Sequence, residues 1–129
     1  MTMPGMRRWS SGVLASAALL AGASPSVAHH SFAMYDSDKV VTVEGVVKEY
    51  VWANPHVLLR LQGKAAGGGA EQLWTLEFPA PAQISRNGWT HTTLKPGDAI
   101  RVELHPFKSG RPGGSFMTAT LPSGEKIGR

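Results

Sequence analysis

The chain has 129 residues, with 13 Lys and Arg, nine Asp and Glu, and no cysteine. That length suits one small domain, and the lack of any thiol excludes disulfides, a cysteine nucleophile, Cys-based zinc sites and a lipidated N-terminal cysteine. A formal net charge of +4 is far short of the basic stripe expected of a nucleic-acid binder.

Residues 1–28 read as a secretory signal peptide. Arg7 and Arg8 supply a basic start with no acid, residues 13–23 are an apolar stretch of Leu, Ala and Val, and Ser26-Val27-Ala28 puts small residues before a cut. The residues flanking Arg7-Arg8 fit a twin-arginine signal poorly, so the expected route is the general secretory one, to the periplasm. Cleavage after Ala28 leaves 101 residues beginning His29-His30-Ser31-Phe32, with 11 basic residues against nine acids, a net +2. Such a domain buries roughly two-thirds of its unfolded surface and needs no staple. No membrane span is expected after processing, since the apolar stretch is too short and too interrupted.

Residues 29–38 show no period and are expected to form an N-terminal arm. Residues 39–129 are expected to form the folded domain. Residues 39–52 read as a long first strand, with Val41, Val43, Gly45 and Val47 on one face. Gly45 in mid-strand suggests a bulge or bend, and Ala53-Asn54-Pro55 reads as a turn. Val57, Leu59 and Leu61 point inward from a second strand over residues 56–62. A small-residue loop follows over 63–70, then a third strand over 71–78 with Trp74, Leu76 and Phe78 inward. Pro79 and Pro81 open, and Asn87-Gly88 close, a short helix. Leu94-Lys95-Pro96-Gly97-Asp98 turns into a fourth strand over 99–107, with Ile100, Val102 and Leu104 inward. Residues 108–115 read as a Gly/Pro connection to a fifth strand over 116–121, and Pro122-Ser123-Gly124 turns into a tail.

Three strands, a short helix and two more strands, with a long bent first strand, match the five-stranded oligonucleotide/oligosaccharide-binding (OB) barrel. The expected fold is therefore all-β and OB-like, with one short helix between strands three and four. An irregular sandwich of the same strands is the other arrangement.

His29-His30-Ser31-Phe32, Thr42-Val43-Glu44-Gly45-Val46-Val47, Trp52-Ala53-Asn54-Pro55-His56, Asn87-Gly88-Trp89, Leu94-Lys95-Pro96-Gly97-Asp98 and Gly110-Arg111-Pro112-Gly113-Gly114 carry a family likeness. Together they resemble a family of short exported bacterial proteins known as domain of unknown function 6152. The resemblance runs over essentially the whole processed chain and departs from the family pattern in the Gly-rich loop. It implies a small exported all-β domain and no particular activity.

The candidate chemistry is carried by histidines. At a new N-terminus His29 offers an α-amine and a ring nitrogen to one metal, and a further imidazole completes a nitrogen set that suits copper. His30, His56 or His105 could supply that imidazole. The alternative is that the two terminal histidines are ordinary tail residues. His91, beside a turn, is left out of the set. Trp52, Asn54 and His56 can form a binding lip, with Trp89 a further aromatic. Alternatively Asn54-Pro55 is a structural corner and Trp52 packs on the core. Residues 108–114 have two cations and several glycines but lack the spacing of a phosphate loop. They read more naturally as a hairpin connection. The carboxylates at 36, 38, 44, 49, 71 and 103 form no paired signature, and Ser31 beside histidines makes no triad.

The expectation is a non-enzymatic periplasmic barrel that binds copper through its processed N-terminus. The alternatives are a metal-free module for a small ligand or a periplasmic protein, using Trp52, Trp89 and Tyr50, and a metal-dependent oxidative enzyme. Nucleic acid is not an expected partner.

Overall fold

The computed structural model describes residues 1–2 and 32–129. The expected signal peptide and the histidines at 29 and 30 lie outside the described residues. Six strands follow one 3₁₀ turn at Phe32–Met34: β1 Val41–Val51, β2 Leu58–Ala65, β3 Gln72–Glu77, β4 Ala99–Pro106, β5 Gly113–Thr120 and β6 Lys126–Gly128. One helical stretch, α1 Pro81–Ile84 continuing as 3₁₀ through Ser85–Asn87, sits between β3 and β4. Pro81 occupies a first-turn position whose N–H would have no helical partner, and Gly88, at φ 91°, ends the stretch in a left-handed conformation.

The sheet order is β3-β2-β1-β4-β5-β6, and a parallel pairing of β3 with β5 closes the first five into a barrel. That is the OB arrangement: β1 is long enough to pair with β2 along one edge and β4 along the other. The closing contact matches Thr75, Leu76 and Glu77 with Gly113, Gly114 and Ser115. Glycine at 113 is required there. Its φ is 136°, and a Cβ would lie 2.1 Å from the Thr75 carbonyl oxygen.

Alternating apolar positions fill the interior as expected. Val43, Val47, Val57, Leu59, Leu61, Trp74, Leu76, Ile100, Val102, Leu104 and Phe116 are all buried in one core with Phe78, and Ile84, Trp89 and Leu94 join it from the helix and the segment after it. Phe78 and Phe116 stack at 3.8 Å between centroids, and Trp89 meets both rings edge-on at 5.2 and 5.3 Å. Among the described residues, the two most buried indoles have polar partners: Trp74 Nε1 donates to Gly63 O at 3.1 Å, and Trp89 Nε1 to Gly128 O at 2.8 Å.

Several boundaries differ from the reading of the sequence. The irregularity in β1 falls between Val47 and Glu49, not at Gly45. Gly45 instead faces Gly63 across the β1–β2 pair, where a Cβ would be 2.3 Å from Gln62 O. Gly63 is therefore strand, and β2 runs on to Ala65. Gly113–Ser115 belong to β5 and close the barrel, so the connection after β4 is shorter than expected. The tail contributes a sixth strand, paired with Thr118–Thr120 of β5.

Candidate functional site

The residues before β1 lie across one end of the barrel. Tyr35 bridges to Phe107, Asp36 N–H donates to Pro106 O at 2.8 Å, and Lys108 N–H donates to Met34 O at 3.0 Å. The Tyr35 and Phe107 rings lie 5.2 Å apart, and the Arg111 guanidinium covers the Phe107 ring at 3.8 Å. Tyr35 is thus only 8% exposed. Its hydroxyl donates to Glu77 Oε2 at 2.5 Å. Burial and the neighbouring carboxylate push the phenol well above its ordinary value, and the Arg111 charge opposes them weakly.

Glu77 points outward because Leu76 and Phe78 on either side point in. Its register partner on β5 is Ser115, and Ser115 is in turn matched with His105 on β4. Glu77, Ser115 and His105 therefore form one row on three neighbouring strands. Arg129 Nη1 donates to Ser115 Oγ at 3.0 Å. Beside this row is a cavity of about 130 Å³, lined by Phe32 and Tyr35 of the arm, Glu77 and Phe78 of β3 and its end, Ser115, Arg129, His56, Pro79 and Gln83. An adjoining hollow, lined by Asn54, Pro55 and Leu58, shares His56 and Glu77 with it.

His56 is half-buried, and its Nδ1 lies 3.1 Å from Phe78 O. A carbonyl oxygen only accepts, so Nδ1 carries the proton and Nε2 holds the lone pair in the neutral ring. His105 Nδ1 lies 2.8 Å from Lys39 O, with the same consequence. Of the proposed metal ligands, His56 thus stands in the pocket wall beside Glu77, and His105 stands at the far end of the outer row. Among the described residues no group of three or more His, Asp or Glu is placed to hold a metal ion.

The proposed lip divides. Asn54 is exposed and lines the hollow with His56. Trp52 is half-buried against the core and borders a different hollow, with Ser85, Thr90 and His91. Trp89 is 1% exposed, enclosed by Phe78 and Phe116, so its ring offers no face to a ligand. Tyr50 is turned inward as well. Its hydroxyl donates to Thr90 O at 3.2 Å, and burial raises its ionisation well above the ordinary value.

Tyr35, Glu77, Ser115, Arg129 and Gln83 were not legible as site residues. Alternation along β3 does put Glu77 on the outside, but only the parallel β3–β5 register puts it next to Ser115.

The sequence profile of a family of unknown function, DUF6152, matches residues 17–117. The chain belongs to this family. No curated protein matches it. Among solved structures, this DUF6152 protein is similar to the mitochondrial single-stranded DNA binding protein Rim1 from S. cerevisiae. The identity is 11%, the TM-score 0.46, and the match covers 64% of this chain and 92% of that one.

Proposed function

We propose that this DUF6152 protein is an exported, non-enzymatic barrel module that binds copper through the amine and imidazole of His29, exposed by cleavage after Ala28. His30 and His56 are the imidazoles nearest to hand in this reading. One observation carries it: the Phe32–Met34 turn brings the chain to the rim of the cavity whose wall contains His56. His29 precedes Phe32 by three residues, and an extended chain covers at most about 3.3–3.6 Å per residue. A chain of that length is long enough to carry a new amine to the cavity wall that includes His56. An all-nitrogen set at such a terminus suits Cu(II) above the other divalent ions of the first row.

The periplasmic assignment rests on the leader-like residues 1–28. Nucleic acid is not among the partners in this reading. Arg60 and Arg101 on the outer sheet are paired with Glu49 and Glu44 at 3.4 and 3.1 Å, which leaves no unbroken basic track along those strands.

The test is to express the full chain, recover it from the periplasm, sequence its terminus and titrate it with copper. A start at His29 and one tight equivalent are expected. A different terminus, or equal affinity after one residue is added before His29, rejects the reading.

A further inference from the structure

The cavity under the arm contains two opposite charges that do not pair with each other. Glu77 is bonded to a neutral phenol, Tyr35, and Arg129 to a neutral hydroxyl, Ser115. Glu77 and Ser115 are register partners, and adjacent strands are about 4.8 Å apart. An anionic and a cationic pole therefore stand side by side on one wall. The ion pairs of the described residues are Lys39–Asp36, Arg60–Glu49, Arg101–Glu44 and Lys126–Glu103, and neither pole enters any of them. Arg111, at the same end, is stacked on Phe107. Phe78 and Pro79 supply an apolar part of the remaining wall, beside the polar His56 and Gln83, and Phe32 stands at the rim, 82% exposed.

We propose that this cavity binds a small zwitterion of the α-amino-acid class, with its ammonium on Glu77, its carboxylate on Arg129 and an apolar side chain against Phe78 and Pro79. A simple anion meets Glu77, a simple cation meets Arg129, and a neutral apolar ligand leaves both charges partly desolvated without a partner. A zwitterion satisfies both with charge-assisted hydrogen bonds. The volume of about 130 Å³ is close to the ~150 Å³ of a cavity that admits benzene, so side chains from alanine to valine fit and larger ones project past Phe32. The inference uses neither His29 nor His30, but His56 of the copper reading lines the same cavity, so copper is kept out of the test.

The test is calorimetry on the full chain expressed with its leader and purified in the form the cell retains, in buffer containing a chelator. Alanine, valine and proline are the probes. At least one is expected to bind saturably with a Kd at or below about 1 mM. Its N-acetyl and carboxamide analogues, each lacking one charge, are expected to bind about tenfold more weakly or worse. Glu77→Gln should abolish the preference over the N-acetyl analogue, and Arg129→Gln the preference over the amide. The ligand analogues test the idea even if a variant folds poorly. No saturable binding by any probe, or equal binding of zwitterion and analogues to the native protein, overturns it.

Discussion

Tyr35 and Glu77 tie the segment before β1 to the barrel through one hydrogen bond, the phenol donating to Oε2 at 2.5 Å across 42 residues of sequence. The bond orients the carboxylate on one wall of the cavity and holds the phenol in its neutral form. Tyr35→Phe keeps the ring on Phe107 and removes only the hydroxyl. A hydrogen bond to a charged group contributes about 1.5–3 kcal/mol, and partial exposure of Glu77 puts this one at the low end. Urea unfolding should show a loss of about 1–2 kcal/mol. An unchanged midpoint would mean that the bond contributes nothing net.

The chain has two tyrosines, and both are held above the ordinary phenol value, each chiefly by burial and Tyr35 also by Glu77. A group whose folded value is raised keeps its full contribution to stability below the unfolded value, here near 10, and loses it as pH climbs toward the folded one. Two outcomes follow. The folded protein should show almost no tyrosinate absorbance at pH 10, while the urea-unfolded protein is about half ionised there. Stability should decline above pH 10, less steeply in Tyr50→Phe. A normal phenolate titration in the folded state would contradict the burial of both rings.

Glycine substitutions should separate closure from loop. At Gly113 a Cβ would meet Thr75 O at 2.1 Å with φ at 136°, whereas at Gly67 nothing lies within 4 Å. Overpacking alone costs about 1–3 kcal/mol and an unfavourable backbone region of order 1–3 kcal/mol more. Gly113→Ala should therefore unfold a marginal domain or open the β3–β5 contact. Gly67→Ala should stay within about 0.5 kcal/mol of the parent. Thermal denaturation of the two variants checks the contrast.

Much of the architecture could be read from alternation. Val57/Leu59/Leu61, Trp74/Leu76/Phe78 and Ile100/Val102/Leu104 each mark a buried face without ambiguity, and Pro81 with Gly88 brackets the helix. Non-local facts could not be read in this way. Gly63 looks like loop composition, yet it is strand because it faces Gly45 across the β1–β2 pair. The segment 113–115 also looks like loop, yet it closes the barrel because its glycines let two backbones approach. Lys126–Gly128 is too short and polar to announce a strand. Trp89 follows a turn and looks available to a ligand, but its indole N–H is satisfied by Gly128 O from β6. The site suffered most, since Glu77, Ser115 and Arg129 meet only through long-range register.

The two candidate tryptophans should behave differently on truncation. Trp89 is enclosed by Phe78 and Phe116, and Trp89→Ala should cost about 3–5 kcal/mol, the usual penalty for emptying an aromatic core position. Trp52 is half-buried at the edge of the same cluster, so Trp52→Ala should cost clearly less. Equal losses in chemical denaturation would show that Trp52 is as much a core residue as Trp89.

The copper reading makes the sharpest demand on the N-terminus. Near pH 7 an α-amine of pKa about 8 must lose a proton to bind, at a cost of roughly 1 kcal/mol, which a three-nitrogen copper site exceeds readily. His29→Ala in the processed protein should weaken Cu(II) binding at least about tenfold, or 1.4 kcal/mol. One extra residue before His29 should do as much harm, because it separates the amine from the ring. His56→Ala should weaken binding if the pocket wall supplies an imidazole, whereas His91→Ala should not, since His91 is exposed beside Trp52 and Thr90 rather than in this cavity. Cu(II) should be preferred over Ni(II) and Zn(II). Affinity should fall as pH drops through the histidine range near 6.5, where protons compete for the rings. Competition titrations on the native protein and these four variants decide the matter. If the extended and native termini hold copper equally, the ligands lie elsewhere and His29 is an ordinary tail residue.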